Sequence, residues 1–286
     1  MDSSPLICVV LRYHDAFDLT MDCIDSISNC RYKNIHYVIV DDDSRLYPAK
    51  NLEPFLKFKM LEYSILQLGK YSDYCISLNH GIKVGLNLDA GLIFVINNDT
   101  KNFSYDFFEV VIEKFRSDES IGILGTKVFD FDGNVRSDAI SVERLGTIIP
   151  IPTEGYFFSR NFLNDVGLFD EKLVRHMEDF DLVIRCNNSK YRCLSIPEIS
   201  FDHLGGGTSK YQMFYPHFYR MRNVVWFIKR YRSNLSLYVK FRYVLGYYKH
   251  HILKAKTSLN NGHIIIACMQ LLSSMFGVFI GILSRW

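Results

Sequence analysis

The sequence predicts an α/β fold with a mixed, mainly parallel sheet flanked by helices, followed by a C-terminal helical extension, and three observations predict it. Short, almost wholly apolar runs alternate with stretches of helical periodicity through the first half. That is the pattern of strands covered on both faces by crossover helices. Two of the runs end directly in polar, carboxylate-bearing turns, Asp41-Asp42-Asp43-Ser44 and Asn97-Asn98-Asp99-Thr100, at the strand ends where open parallel sheets bind ligands. From Tyr211 to Trp286 acidic residues disappear and the apolar spacing becomes helical.

The elements follow in order. Leu6 to Leu11 is a continuous apolar run of strand length. Residues 16–28 place Leu19, Ile24 and Ile27 at helical spacing, and Ile35 to Val40 and Tyr63 to Leu68 read as strands. A helix is expected over 72–86 and a strand over Leu92 to Ile96. Ser104 is expected to cap a helix in which Phe107, Val110, Val111 and Phe115 face one way. Ile121 to Val128 reads as a strand, and Asp132-Gly133 marks a turn. Residues 147–210 are less regular and hold the densest group of reactive side chains. Three helices are expected in the tail, over 211–232, 236–256 and 262–284. The expected division is 1–210 and 211–286.

The chain has 286 residues, 48% of them hydrophobic, enough for one large domain with an appendage. A net charge of +2 conceals a segregation: 211–286 carries eleven Lys or Arg and no Asp or Glu, leaving 22 basic against 31 acidic residues in 1–210. Such a tail favours an anionic partner, nucleic acid or an anionic membrane leaflet. The acidic body and the lack of a recognition motif argue against nucleic acid. No Gly-x-Gly-x-x-Gly follows the first strand, which argues against a dinucleotide oxidoreductase. Seven Cys, an odd number with no Cys-x-x-Cys pair, are expected to be reduced and mostly buried. Met1 to Pro5 lacks a basic segment ahead of the apolar run, so no signal peptide is expected.

Four constellations carry chemistry. Asp41-Asp42-Asp43-Ser44 has carboxylates that can accept from a base N–H or a ribose hydroxyl; the plain alternative is a solvated turn. Asn97-Asn98-Asp99-Thr100 sits at the same end of the sheet if the strands are parallel. A carboxylate there beside a diphosphate would hold Mg²⁺ or Mn²⁺, which take oxygen ligands; the alternative is an ordinary polar turn. Gly167-Leu168-Phe169-Asp170-Glu171 is followed by His176-Met177-Glu178-Asp179-Phe180-Asp181-Leu182 and Arg185, crowding acids at the start of a helix over 178–188. The helix dipole accounts for one such acid but hardly for the cluster. Sugar transfer with inversion needs one carboxylate as general base toward the acceptor hydroxyl. Last, His203 precedes Gly205-Gly206-Gly207-Thr208-Ser209, a loop whose glycines, N–H groups and hydroxyls suit phosphate.

Taken in this order, the motifs resemble the inverting family 2 glycosyltransferases of the GT-A fold, in their bacterial rhamnosyltransferase-like and galactofuranosyltransferase-like branch. Val9 to His14 is similar to the family's first strand running into Tyr-Asn, and Val40 to Ser44 to its Val-Asp-Asp/Asn-Gly-Ser turn. Asn79-His80-Gly81 resembles an Asn-x-Gly helix start, and residues 97–100 the metal motif. Gly155, Arg160, Val166 to Glu171, Glu178-Asp179, Asp181-Leu182 and Arg185 resemble the acceptor-side block, and His203 to Ser209 a His-x-x-Gly-x-Ser loop. The resemblance spans residues 6 to about 232. It departs at Arg12, His14, Asp43 in place of Gly, and Asn97 in place of the first Asp of Asp-x-Asp.

The resemblance implies a UDP- or dTDP-sugar donor and a lipid-linked saccharide acceptor in bacterial cell-surface polysaccharide (O-antigen or capsule) synthesis. It implies donor binding by Tyr13, Asp41, Asp42, Asn98, Gly155 and Ser209, with Asp41 or Asp42 on the nucleoside. It implies a divalent cation (Mn²⁺ or Mg²⁺) on Asp99 and His203, and Asp179 as catalytic base with Glu178 positioning acceptor or sugar. The alternative is a glycosyltransferase-like scaffold that has lost turnover. The uncharged stretch Ile264 to Leu283, with Gly277 and Gly281 at Gly-x-x-x-Gly spacing, is long enough to span a bilayer. Gln270, Ser273 and Ser274 favour a helix lying on the membrane or packed on the body. The expected location is the cytoplasmic face of the cell membrane, with a tail used for homodimerisation as the plain alternative.

Overall fold

The structure is a computed structural model, and it describes residues 4–137, 155–205, 215–231, 246, 249, 252–261 and 263–284. The chain forms two compact units, Met1–Phe169 with Leu182–Thr208, and Asp170–Asp181 with Ser209–Trp286. Residues 170–181, which carry Glu178 and Asp179, group with the tail although they precede it by some thirty residues.

In the first unit β1 (Ile7–Tyr13), α1 (Phe17–Ser28), β2 (Ile35–Asp41), α2 (Glu53–Phe58), β3 (Glu62–Gln67), α3 (Tyr74–Asn87) and β4 (Leu92–Ile96) form a wound α/β half. Then come β5 (Thr100–Lys101), α4 (Phe107–Ser117), β6 (Ile121–Phe129), β7 (Val135–Ser137), β8 (Gly155–Ser159), α5 (Arg160–Val166), α6 (Glu178–Asn187) and β9 (Arg192–His203). Among the described residues they make one sheet in the order β3-β2-β1-β4-β8-β6-β9-β5, with β7 beside β6. Strands β1 to β4 are mutually parallel and β6 is parallel to β9, whereas β8, β5 and β7 run antiparallel to their neighbours. The sheet is thus a mixed one, as the sequence predicts.

The apolar runs of β1, β2 and β4 are buried on both faces, as their unbroken hydrophobicity requires. On one face α3 lies against β1. A Cβ on Gly81 would stand 2.4 Å from Val10 Cγ1, and one on Gly85 2.8 Å from Cys8 Sγ. The other face is aromatic: Phe94 stacks on Phe157 at 4.1 Å between centroids, with Phe107 and Phe108 edge-on or tilted around them. Much of the chain's phenylalanine is therefore core.

Two local expectations change. The N-cap of α4 is Asp106. Ser104 instead exchanges hydrogen bonds with the backbone of Ser200 in β9, a stronger use for it than a cap two residues too early. Asn79 lies in the second turn of α3 and not at its start; its amide accepts from Phe169 N (3.1 Å) and donates to Phe169 O (2.9 Å). The Asp132-Gly133 turn is present between β6 and β7, where Gly133 has φ 81° and the Asp130 carboxylate receives the N–H groups of Asp132 and Asn134. Six of the seven cysteines are buried, Cys268 is exposed, and none is in a disulfide.

In the second unit a 3-10 turn over Glu171–Leu173 leads toward α6, and the tail supplies α7 (Tyr215–Arg230), helical residues 252–260 and α8 (Ile264–Leu283). Much of the expected middle helix lies outside the described residues. The face of α8 that carries Ala267, Ser273, Ser274, Gly277 and Gly281 is buried. A Cβ on Gly277 would sit 2.4 Å from Phe218 O, and one on Gly281 2.9 Å from Arg222 O. The Gly-x-x-x-Gly spacing thus packs α8 against α7 of the same chain. Lys229 donates to the carbonyls of Gly281, Ile282 and Ser284 at the end of α8, a C-terminal cap by a cation.

Candidate active site

The turn after β2 is organised by its own carboxylates. Asp41, registered beside Tyr13 of β1, is buried; its Oδ1 accepts from Ser44 N (2.9 Å) and its Oδ2 from Ala49 N (2.7 Å). Asp42 is fully buried and accepts four hydrogen bonds: Nε and Nη2 of Arg12 at 3.0 and 2.6 Å, and N and Oγ of Ser72 at 2.6 and 2.9 Å. A carboxylate has about four lone-pair sites, so Asp42 is saturated while Asp41 keeps capacity at each oxygen. The Tyr13 hydroxyl donates to Tyr47 O at 2.6 Å, and burial with three nearby aspartates pushes its pKa upward. His14 Nδ1 contacts Asp42 O at 2.7 Å. Asp43 has φ 65°, the left-handed conformation that explains why the resembled motif carries Gly there.

Asp15 was not singled out by its sequence. Its Oδ1 receives the N–H groups of Arg45, Leu46 and Tyr47 at 2.8 to 3.0 Å, and these bonds hold its pKa below the ordinary value against a burial effect that raises it. It clasps the loop after β2. Only its place after the first strand could have flagged it.

At the end of β4, beside Leu11 of β1, the Asn97–Thr100 turn meets the end of β9. Thr100 pairs with His203 in the β5–β9 ladder, which brings Asp99 Oδ1 to 3.0 Å from His203 Nε2, both side chains buried. The Asn97 amide nitrogen lies 3.4 Å from the same Nε2, and its Oδ1 accepts from Tyr74 OH at 3.3 Å. Asn98 turns inward: it is buried and donates to Thr20 Oγ1 at 2.9 Å. Two ligand atoms each about 2.1 Å from a cation, at a right angle, stand about 3.0 Å apart. The Asp99–His203 separation therefore suits adjacent ligands of one octahedral ion. Among the described residues no three His, Cys, Asp or Glu side chains converge on a metal-sized site, so phosphate and water oxygens would complete the shell, as is usual for Mg²⁺.

Gly155 opens β8 opposite Ile96. A Cβ there would lie 2.6 Å from Ile96 Cδ1 and 3.0 Å from Phe201 Cζ, so its bareness lets three strands close beneath the Asn97 turn. Ser209, with the glycines before it from Gly206 onward, lies outside the described residues.

In the second unit Glu178, Asp179 and Asp181 fill the first turn of α6, and Glu178 and Asp179 are both buried. Glu178 Oε2 has no hydrogen-bond partner among the described residues. Burial first, then the adjacent Asp179, raises its pKa to about 8; Arg175 and Arg220 act in the opposite direction. Asp181 accepts from Tyr231 OH and faces Arg230 at 3.3 Å, and Arg230 also pairs with Asp170 at 2.9 Å. Just before the helix Val174, His176 and Met177 all have positive φ, 66°, 67° and 71°. Each such conformation costs on the order of 1–3 kcal/mol and persists only where its surroundings over-determine it. Arg185, in the first unit, donates to the carbonyls of Val166 and Leu168 and fixes the chain around Gly167.

No protein-family model matches the chain, and no curated protein matches it by sequence. Among solved structures it is similar to S. aureus TarS 1-349, at 12% identity and a TM-score of 0.63, over 97% of this chain and 81% of that one. It is similar to the mannosyltransferase PcManGT from Pyrobaculum calidifontis in complex with GDP-Man and Mn²⁺, at 12% identity and a TM-score of 0.61, over 99% and 88%. A third is S. aureus TarS 1-349 in complex with UDP-GlcNAc, at 13% identity and a TM-score of 0.60, over 86% and 72%. At such identity the likeness is one of fold, and the fold is the GT-A glycosyltransferase fold.

Proposed function

We propose that the chain is an inverting glycosyltransferase. In this reading it moves a sugar from a UDP- or dTDP-sugar to a lipid-linked saccharide at the inner face of a bacterial membrane, in cell-surface polysaccharide synthesis. The observation that carries the reading is the convergence of Asp99, His203 and Asn97 at the same end of the sheet as the Asp41 turn. Two structures of the same fold hold GDP-Man with Mn²⁺ and UDP-GlcNAc.

The residues divide the work. Asp41, with free lone pairs, accepts from the nucleoside, while Asp42, Tyr13 and Asp15 shape the turn that presents it. Asn98 and Gly155 set the floor under the Asn97 turn. Asp99 and His203 would hold a divalent cation, whose chemistry is to neutralise charge on the departing diphosphate. Asp179 takes the proton from the acceptor hydroxyl as general base. Glu178, held neutral by its burial, donates a hydrogen bond that positions acceptor or sugar. Two adjacent carboxyls with separated tendencies to ionise are the arrangement that lets one give a hydrogen bond while the other takes a proton.

A membrane-facing acceptor is supported by α8. Its small residues face α7, whereas Ile265, Leu272, Met275, Phe276 and Phe279 are at least half exposed. Its length and apolarity also suit a bilayer span. With one face occupied, we favour a helix lying in the interface. The basic residues of the tail add about 1 kcal/mol each at an anionic leaflet.

Thermal-shift screening of UDP-, dTDP- and GDP-sugars with and without Mn²⁺ tests the donor reading. One donor is expected to raise Tm by several degrees with Mn²⁺, since saturation at a hundred times Kd stabilises by about 2.7 kcal/mol. No shift with any nucleotide sugar would defeat the reading. A shift without donor hydrolysis or transfer would favour the scaffold.

A further inference from the structure

We propose that Asn223 of α7 is a positioning residue that clamps the strained backbone leading into Glu178 and Asp179, so that the tail sets the geometry of the catalytic pair. The proposal rests on the reading of Asp179 as general base.

Residues 174–177 link the 3-10 turn to α6. Asn223 is fully buried, and its Nδ2 stands 2.6, 2.8 and 2.9 Å from the carbonyl oxygens of Leu173, Arg175 and His176. Its two N–H bonds are shared among three acceptors that bracket Val174 and precede Met177. The amide cannot turn over, because Arg222 Nε donates to its Oδ1 at 2.9 Å. Arg222 extends the clamp through Nη2 to Lys172 O at 2.8 Å, and its guanidinium lies over the Trp226 ring at 4.1 Å.

The contacts recur with helical period. Phe227, one turn on, meets Phe180 edge-on at 5.9 Å, and Arg230 and Tyr231, a further turn on, hold Asp181. One face of α7 therefore grips the segment both before and after the Glu178–Asp179 pair, while its residues Phe218 to Val225 also meet the glycines of α8. Aspartate at 223 could not donate, and alanine would take this donor from all three carbonyls, Leu173 O alone being shown to keep two others, Arg175 N and Arg222 Nη2.

The test compares full-length wild type with Asn223→Ala and Asn223→Ser, the latter keeping one donor. Hydrogen exchange of residues 174–181 is read alongside donor titration and steady-state kinetics. We expect folded proteins in which protection across 174–181 falls about tenfold or more in Asn223→Ala and less in Asn223→Ser, as for a locally opened segment. We expect kcat to fall about 10²-fold in Asn223→Ala, the scale of a misplacement near 1 Å, with donor affinity retained. Unchanged protection of 174–181 overturns the proposal, as does a loss confined to donor KM. So does failure of both variants to fold, which would make Asn223 a general core residue. Because exchange is read without turnover, a wrong assignment of Asp179 would show as an active Asp179→Asn protein and leave the test of Asn223 intact.

Discussion

The two polar clusters of this chain are built in opposite ways. Asp41 and His203 end strands held in long ladders with β1 and β6, and Asp99 lies in the turn between β4 and the short β5–β9 pairing. Glu178 and Asp179 follow three residues with left-handed backbone, and what holds that backbone is a helix contributed by the tail. The difference teaches how the fold separates tasks. In the proposed reading the strand ends provide fixed places for the charged donor and its cation, whereas the proton-transfer pair follows a segment that α7 holds. Substitutions in the two clusters should therefore fail differently.

The largest effect is expected at Asp179. Asp179→Asn should lower turnover by about 10²-fold or more, the usual scale for loss of a general base, with the donor-dependent thermal shift unchanged. Turnover within about threefold of wild type would remove the assignment and with it half of the contrast.

At the sheet edge the effect should fall on donor and cation instead. Asp99→Asn and His203→Ala are each expected to weaken donor binding about tenfold in the presence of Mn²⁺ and to abolish the difference that Mn²⁺ makes; about 1.4 kcal/mol corresponds to that factor. Titration of donor with and without EDTA reads this directly. Activity indifferent to EDTA, or a Mn²⁺ response surviving in both variants, would show that the 3.0 Å pair is a structural ion pair only.

The same contrast explains what was legible in the sequence. Strand ends announce themselves, because an apolar run stopping at Asp41 or Asn97 is a local pattern, and parallel pairing puts such stops on one edge. Two of the departures from the resembled family meet at one residue: Arg12 binds the Asp42 carboxylate and His14 the Asp42 carbonyl, and Asp43 occupies the backbone of a glycine. What could not be read is non-local. Nothing near Asn223 says that its partners lie fifty residues earlier, and nothing near Ser104 says that Ser200 will claim it. Nor does the sequence of 170–181 say that this segment groups with helices that begin beyond residue 210. Asp15 escaped notice because a carboxylate that collects three backbone N–H groups looks in sequence like any turn aspartate.

The two roles proposed for the tail can be told apart. Deleting 211–286 would remove α7 along with α8, so it would damage the Glu178 segment whatever the membrane does. Leu272→Glu with Phe279→Glu charges the exposed face of α8 and spares the glycine face that meets α7. This variant should retain turnover on a soluble acceptor and lose most binding to vesicles containing anionic lipid. In wild type, salt should weaken the electrostatic part, since screening shortens to about 8 Å at physiological ionic strength, while the apolar part persists. Equal binding of wild type and variant would exclude α8 as the docking face. A change in sedimentation without any vesicle binding would assign that face to a second copy of the chain.

The smallest expected effect concerns Glu178, and its sign is fixed by linkage. Burial and the adjacent Asp179 raise its pKa from an ordinary 4.5 to about 8, so between those values the folded chain binds a proton that the unfolded chain has released. The stability slope with pH follows the difference in bound protons, unfolded minus folded, and is negative for this group. Its contribution is full below about pH 4.5 and is lost as pH rises through about 8. Glu178→Gln keeps a neutral donor and cannot ionise. It should therefore flatten the decline of Tm between those limits and make the variant relatively more stable at the alkaline end. The charged groups that face Glu178 are Asp179, Arg175 and Arg220. Asp179→Asn should consequently shift the same decline to lower Glu178 pKa, toward acid pH, whereas Asp99→Asn should leave it in place. A pH profile of Tm that is identical in wild type and Glu178→Gln would mean that Glu178 ionises as an ordinary carboxylate. The pair would then lose its division into a neutral donor and a proton acceptor, and Asp179 would have to act as base beside a second negative charge.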